Sequence, residues 1–342
     1  MRGSVKSWHL HWALGSAEII STAAILKACT FRLPSGRLFA PFACAPWAGG
    51  RESVAPDLPG HMRHLGGEFV CLPFGVGSVP PSLAARWGGS DGTFPQPVQH
   101  GACADGEWDL VSSSPTHVEL RIDYPKGDDI HSVTRTIRAD PAAAALDIQI
   151  SVHARRSTAL PFAFHPVFRL PHRPSGVSIQ IPFRRGLTYP GTLAPGISPA
   201  AADAAFESLA AVPLKSGGDF DLSRLPHGKP MEEFIQLMGV TGEATVEYAD
   251  ERARVRLTWD PKMLPSCLLW VSDRSLQEPP WCGRFQGFAI EPAAAVFDLP
   301  VGIARRSNPV RAEGAATVLP MHPGEPTVIG YRLAAEEITG AR

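Results

Sequence analysis

Charge of one sign is missing from this chain: 32 basic against 33 acidic residues leave a formal net charge of -1 over 342 residues. That balance gives no electrostatic reason to expect nucleic acid or an anionic membrane as a partner. The six cysteines (Cys29, Cys44, Cys71, Cys103, Cys267, Cys282) form no C-x-x-C pair and do not cluster. They read as small buried hydrophobes in a reducing compartment, not as a disulfide framework. No apolar run is long enough to span a bilayer. After the basic N-terminus MRGSVK, His11 and Glu18 interrupt the apolar stretch, which argues against a signal peptide and makes the cytoplasm the default. There is no G-x-G-x-x-G and no Walker loop, so nucleotide-dependent chemistry lacks support. His9 with His11, and His61 with His64, lack the cysteine or carboxylate company of a zinc site, so no metal is expected.

What is abundant is strand rhythm. Val118, Leu120, Ile122 and Tyr124 alternate with His117, Glu119, Arg121 and Asp123. Leu146 to Val152, Val177 to Phe183 and Val255 to Trp259 repeat the period of two. Such runs are half-buried strands of antiparallel sheets. The 34 prolines and 32 glycines fall between them as turn punctuation. Helical signals are scarce: the alanine-rich stretch Ala201 to Val212 predicts one short helix, and residues 1–30 fit either a strand pair or a short helix. With no repeat and no clear linker, the rhythm predicts one all-β domain over residues 1–342, a large antiparallel β-sandwich with few short helices.

Two runs carry candidate chemistry. In PFAFHPVFRLP (161–171), Phe162 and Phe164 share one face of an extended chain, and Ala163 and His165 the other. In FQGFAIEPAAAVFD (285–298), Phe288 and Ile290 share a face, opposite Gly287, Ala289 and Glu291. His165 and Glu291 would thus stand among very small residues, each held extended by the proline that follows it. Alone, His165 fits a hydrogen-bonded core histidine and Glu291 a structural ion pair. Together they fit an acid–base pair beside room for a ligand.

Other candidates are weaker singly. His100-Gly101 follows the proline-rich stretch Thr93 to Gln99 and precedes Trp108. Arg51, Arg63, Arg86, Arg169 and Arg173 are available to bind hydroxyls or an anionic substituent. Asp219-Phe220-Asp221 after Gly217-Gly218 reads as a turn entering a strand. Trp270 and Trp281 flank Ser272-Asp273-Arg274; either ring can stack on a sugar, although Trp270, ending an apolar run, reads better as core.

Taken together, these residues resemble the galactose mutarotase-like proteins, which include the aldose 1-epimerases. The matching features are His100-Gly101 with Trp108, then Phe164-His165-Pro166-Val167-Phe168, then Asp219-Phe220-Asp221, then Ile290-Glu291-Pro292 with Asp298 following. The resemblance spans roughly residues 65–300. It implies a galactose mutarotase-like supersandwich with its site on a concave sheet face. It implies Glu291 as general base, His165 as general acid and His100 as a supporting group at the sugar ring oxygen, with no cofactor. It also implies substrate contacts, for which Arg86, Trp108, Asp221 and Glu233 (or Glu232) are the candidates. The arginine that many members carry upstream of the HG element is missing from Pro73-Phe74-Gly75-Val76-Gly77-Ser78. The expected partner is a monosaccharide, a hexose or modified hexose, and the expected reaction is exchange of its anomers. The rival is a non-catalytic carbohydrate-binding protein on the same fold. The sugar and the oligomeric state are left open.

Overall fold

The computed structural model describes residues 5–48, 54–55, 57–79, 82–88, 98–194 and 196–339. Two large antiparallel sheets dominate it. The first runs, in spatial order, through Ser7–Trp12, Gly15–Ile20, Leu26–Arg32, Gly67–Cys71, Phe162–Arg169, Gln286–Ala294, Ser266–Asp273, Met231–Met238, Arg185–Thr188 and Ala205–Phe206, with Leu38–Phe39 pairing Leu26–Arg32 beside this path. The second is built on Ile130–Ala139, Ala145–Ala154, Ala253–Trp259 and Thr327–Glu337, with Asp109–Ser114, His117–Asp123, Val177–Gln180, Arg224–Leu225 and Glu243–Tyr248 completing it.

The alternation read from the sequence decides which side of each strand enters the core. In Ala253–Trp259 burial strictly alternates, with Val255 and Leu257 inward and Arg254 and Arg256 outward. The first sheet differs. Phe162–Arg169, Met231–Met238 and Gln286–Ala294 are buried along nearly their whole length, because both of their faces are covered. Phe162, Phe164, Phe168, Phe288 and Ile290 pack into the core between the sheets. Ala163, Val167, Ala289 and Ala293 face a second apolar cluster, formed with Trp47, Trp87 and Phe297 from outside the sheet strands. Register is thereby fixed: a slip of one residue would exchange the phenylalanine face of Phe162–Arg169 for the face that carries Ala163, His165 and Val167.

One buried ion pair crosses the sandwich. Arg135, from Ile130–Ala139, donates to Glu68, from Gly67–Cys71, and neither side chain is solvent-accessible. Burial pushes the Glu68 carboxyl up and the guanidinium draws it down.

Two sequence expectations change. Residues 7–32 form three strands of the first sheet, neither a helix nor a lone pair. Ala201 to Val212 is not helical. Ala205–Phe206 pairs with Gly186 and Leu187 as the sheet's last strand, and Val212–Pro213 pairs with Asp219–Phe220. A short alanine-rich segment has too little helical stability of its own to resist such pairing. Gly186 permits it, since a Cβ there would stand 2.3 Å from the Phe206 ring.

Candidate active site

The site lies on the outer face of the first sheet. Phe162–Arg169 and Gln286–Ala294 are adjacent and antiparallel, with Ala163 opposite Ala293 and Val167 opposite Ala289. The same register sets His165 opposite Glu291. Their side chains meet with Nε2 of the histidine 3.4 Å from Oε1 of the glutamate. On the other side of His165 is Phe69, its partner in the Gly67–Cys71 strand, whose ring stacks on the imidazole at 4.4 Å between centroids. Alanines along both strands keep the surrounding face low, so the pair opens into a cavity of about 290 Å³.

His61, His100, Glu232, Trp270, Trp281 and Asp298 also line that cavity. His100 has φ +61° and Gly101 φ +81°, so the chain turns sharply through the left-handed region. A Cβ on Gly101 would lie 1.9 Å from the Leu72 carbonyl oxygen, which is why glycine must follow this histidine. The backbone N–H of Gly75 donates to His100 Nδ1 at 3.3 Å. A neutral ring therefore carries its proton on Nε2, which lies 3.2 Å from the side-chain amide nitrogen of Gln99.

Glu232 sits on Met231–Met238, where Trp270 Nε1 donates to it at 2.6 Å and Ser275 donates to its other oxygen. Asp298 accepts from the Tyr189 hydroxyl at 3.2 Å. The turn leading to Asp298 is held by Gln236, which donates to the Ala295 carbonyl and accepts from the Phe297 amide, both at 2.8 Å.

Burial dominates the electrostatics. It pushes Glu291 well above the usual carboxylate range, with the Asp298 charge adding to the shift. It lowers His165 to about 3, helped by His61, and holds His100 well below the usual imidazole value. Glu232 is raised to about 7 by burial against the pull of its hydrogen bonds, and Asp298 to about 6. Burial disfavours the charged form of both groups, so the two shifts run toward a protonated carboxyl beside a neutral imidazole. Nδ1 of His165 and Oε2 of Glu291 are buried with no hydrogen-bond partner.

The other sequence candidates do not line this cavity. Arg86 is tied to Asp203 through Nε at 2.7 Å. Trp108 is a core residue whose Nε1 donates to the Cys103 carbonyl at 3.0 Å. Asp221 caps its own turn, accepting from the amide of Ser223 at 2.7 Å. Glu233 accepts from Ser198 Oγ and the Ala200 amide, both at 2.8 Å, leaving its neighbour Glu232 at the cavity. Thr93 to Pro97 and Arg51 fall outside the described residues. Phe69 had no place in the sequence reading; His61 was weighed there only as a metal ligand, and Asp298 only as the residue following the Glu-Pro element. A larger depression of about 480 Å³ on the outer face of the second sheet includes Asp147, which Arg332 neutralises at 2.9 Å.

Among the described residues no group of three or more histidine, cysteine, aspartate or glutamate side chains is arranged to hold a metal ion. No helix among them is long and apolar enough to cross a membrane.

No protein-family model matches this chain, and no curated protein does. Solved structures match it throughout. A homologue of GalM/aldose epimerase from C. elegans superposes with a TM-score of 0.68 at 12% identity, covering 98% of this chain and 100% of that one. A protein from Escherichia coli K12, provisionally described as an aldose 1-epimerase, gives 0.63 at 16% identity over 98% and 100%. A galactose mutarotase-like protein from Lactobacillus casei gives 0.60 at 14% identity over 96% and 100%. The fold is the galactose mutarotase-like β-sandwich. At these identities the likeness establishes architecture, and the chemistry must be argued from the site.

Proposed function

We propose that this protein is an aldose 1-epimerase, a mutarotase acting on a monosaccharide without a cofactor. The observation that carries the proposal is the His165–Glu291 pair, opposed at 3.4 Å inside a cavity of about 290 Å³. Anomer exchange needs a proton removed from the anomeric hydroxyl and one delivered to the ring oxygen. The ring C–O bond then breaks as the anomeric C=O forms. Rotation about C1–C2 and reclosure return both protons and give the other anomer. The two oxygens share one carbon, so two side chains this close to each other suffice.

In this reading Glu291 takes the hydroxyl proton and His165 delivers one to the ring oxygen, with His100 supporting the ring oxygen through its Nε2 proton. At rest, burial keeps the proton on Glu291. Sugar hydroxyls donating to the unpartnered Oε2 favour its ionised form, and the proton passes to His165 Nε2. The proton inventory is unchanged by that transfer. Trp270 and Trp281 supply aromatic faces for the apolar side of the sugar, and Glu232 and Asp298 supply acceptors for hydroxyls.

Exchange spectroscopy between sugar anomers tests the reading, over a panel of neutral, phosphorylated, uronic and sulfonated hexoses. Acceleration with at least one sugar, lost in Glu291→Gln, is the expected result. Among the described residues that line the cavity there is no arginine, which favours the rival of a binding protein without turnover. Calorimetric sugar binding with no anomer exchange for any sugar would decide for that rival.

A further inference from the structure

His61 belongs to the four-residue helix Gly60–Arg63 and is 2% exposed. Its Nδ1 lies 3.0 Å from the backbone oxygen of Ala104. A carbonyl can only accept, so Nδ1 carries a proton. Burial lowers this imidazole to about 4, so near neutral pH the ring holds that one proton and Nε2 presents a lone pair. Nε2 is buried with no hydrogen-bond partner, and His61 lines the cavity. Its ring stands 5.2 Å from that of His100, edge to face, and 5.1 Å from that of Phe69.

A core histidine anchored on Ala104 explains the Nδ1 bond but not the other nitrogen. A buried acceptor left unmet is costly, and a phenylalanine would fill the same volume without that cost. A sugar hydroxyl meets the deficit. We propose that His61 Nε2 accepts a hydrogen bond from one hydroxyl of the bound sugar, and so selects for a free hydroxyl at that position. This rests on the sugar-binding reading above. Nε2 of His61 accepts where Nε2 of His100 donates, so the two rings present opposite polarity to the ligand. A deoxy or fluoro substituent at the recognised carbon cannot donate, so both are rejected alike.

Asparagine and glutamine separate the ring's two jobs. His61→Asn keeps a donor near the Nδ1 position for Ala104 and removes the Nε2 acceptor; His61→Gln does the reverse. Calorimetry with D-glucose, D-galactose and their monodeoxy and monodeoxyfluoro analogues, on the full chain, reads the outcome. Expected are roughly 3- to 10-fold weaker binding of the parent sugar to His61→Asn and partial rescue in His61→Gln. One deoxy analogue and its fluoro counterpart should bind the unaltered protein and His61→Asn equally. Nitrogen-15 spectra of the unaltered protein should show His61 Nε2 without a proton at neutral pH. Equal losses for every analogue in His61→Asn, no loss at all, or a protonated Nε2 would each overturn the role while leaving sugar binding intact. Failure of every sugar to bind the unaltered protein would overturn the sugar reading and this inference with it.

Discussion

Glu291 and His165 are 126 positions apart in sequence and directly opposite in register, with Oε1 of one 3.4 Å from Nε2 of the other. Neither can be altered without changing how the other holds its proton. Replacing Glu291 by Gln keeps the shape and removes the proton acceptor. Anomer exchange should fall about 100- to 10,000-fold, the usual contribution of one acid–base group, while calorimetric sugar affinity changes by less than about 10-fold. Full activity in the variant would sink the assignment.

Glu232 ties stability to pH. Its pKa is raised from 4.5 to about 7. Between those values the unfolded chain releases the proton that the folded chain keeps. Its contribution is therefore present below pH 4.5 and is lost as pH rises through about 7, by on the order of 3 kcal/mol. Denaturant unfolding of the wild type and Glu232→Gln across this window should show the variant gaining relative stability as pH rises. A constant difference would refute the shift.

His61 acts in the opposite sense. Lowered from 6.5 to about 4, it is buried neutral, and its contribution is lost as pH falls through that window. In His61→Asn this acid-side loss should shrink, leaving a flatter stability profile between about pH 6.5 and 4. A profile parallel to the wild type would argue against a neutral, buried ring.

Gly101→Ala should disturb the site from beneath. The φ of +81° and the 1.9 Å approach to Leu72 both forbid a Cβ, so the turn must shift, at roughly 2 kcal/mol or more. His100 moves with it. A lower thermal midpoint together with reduced exchange activity is expected, and an unchanged midpoint would contradict the backbone geometry.

The pair Glu68–Arg135 is the last test. Arg135→Met alone leaves a buried carboxyl without its partner and should cost about 3–5 kcal/mol in urea unfolding. Adding Glu68→Gln should recover part of that loss. Additive losses would show that the two do not depend on each other.

Much of the architecture was legible locally. Period-two runs such as Val118 to Tyr124 mark strands because one face meets the core and the other meets water. The small-residue faces around His165 and Glu291 were visible for the same reason, each run ending at a proline. Where a strand is buried on both faces, alternation carries no such information. In Met231–Met238 it could not say whether Glu232 or Glu233 reaches the cavity. Trp108 followed the HG element at a plausible spacing, yet its indole is used up by the core and the Cys103 carbonyl. His61 stands in a helix too short for any periodicity.

The sequence by itself determined the strand rhythm, the all-β class and the extended presentation of His165 and Glu291, because backbone preference and burial pattern act over a few residues. Only the tertiary structure decided that these two face each other, that Glu232 and His61 join them, and that Arg86 and Asp221 stay outside. Those outcomes depend on strand order and on loops brought together from distant positions, and no local pattern encodes which partners they will meet.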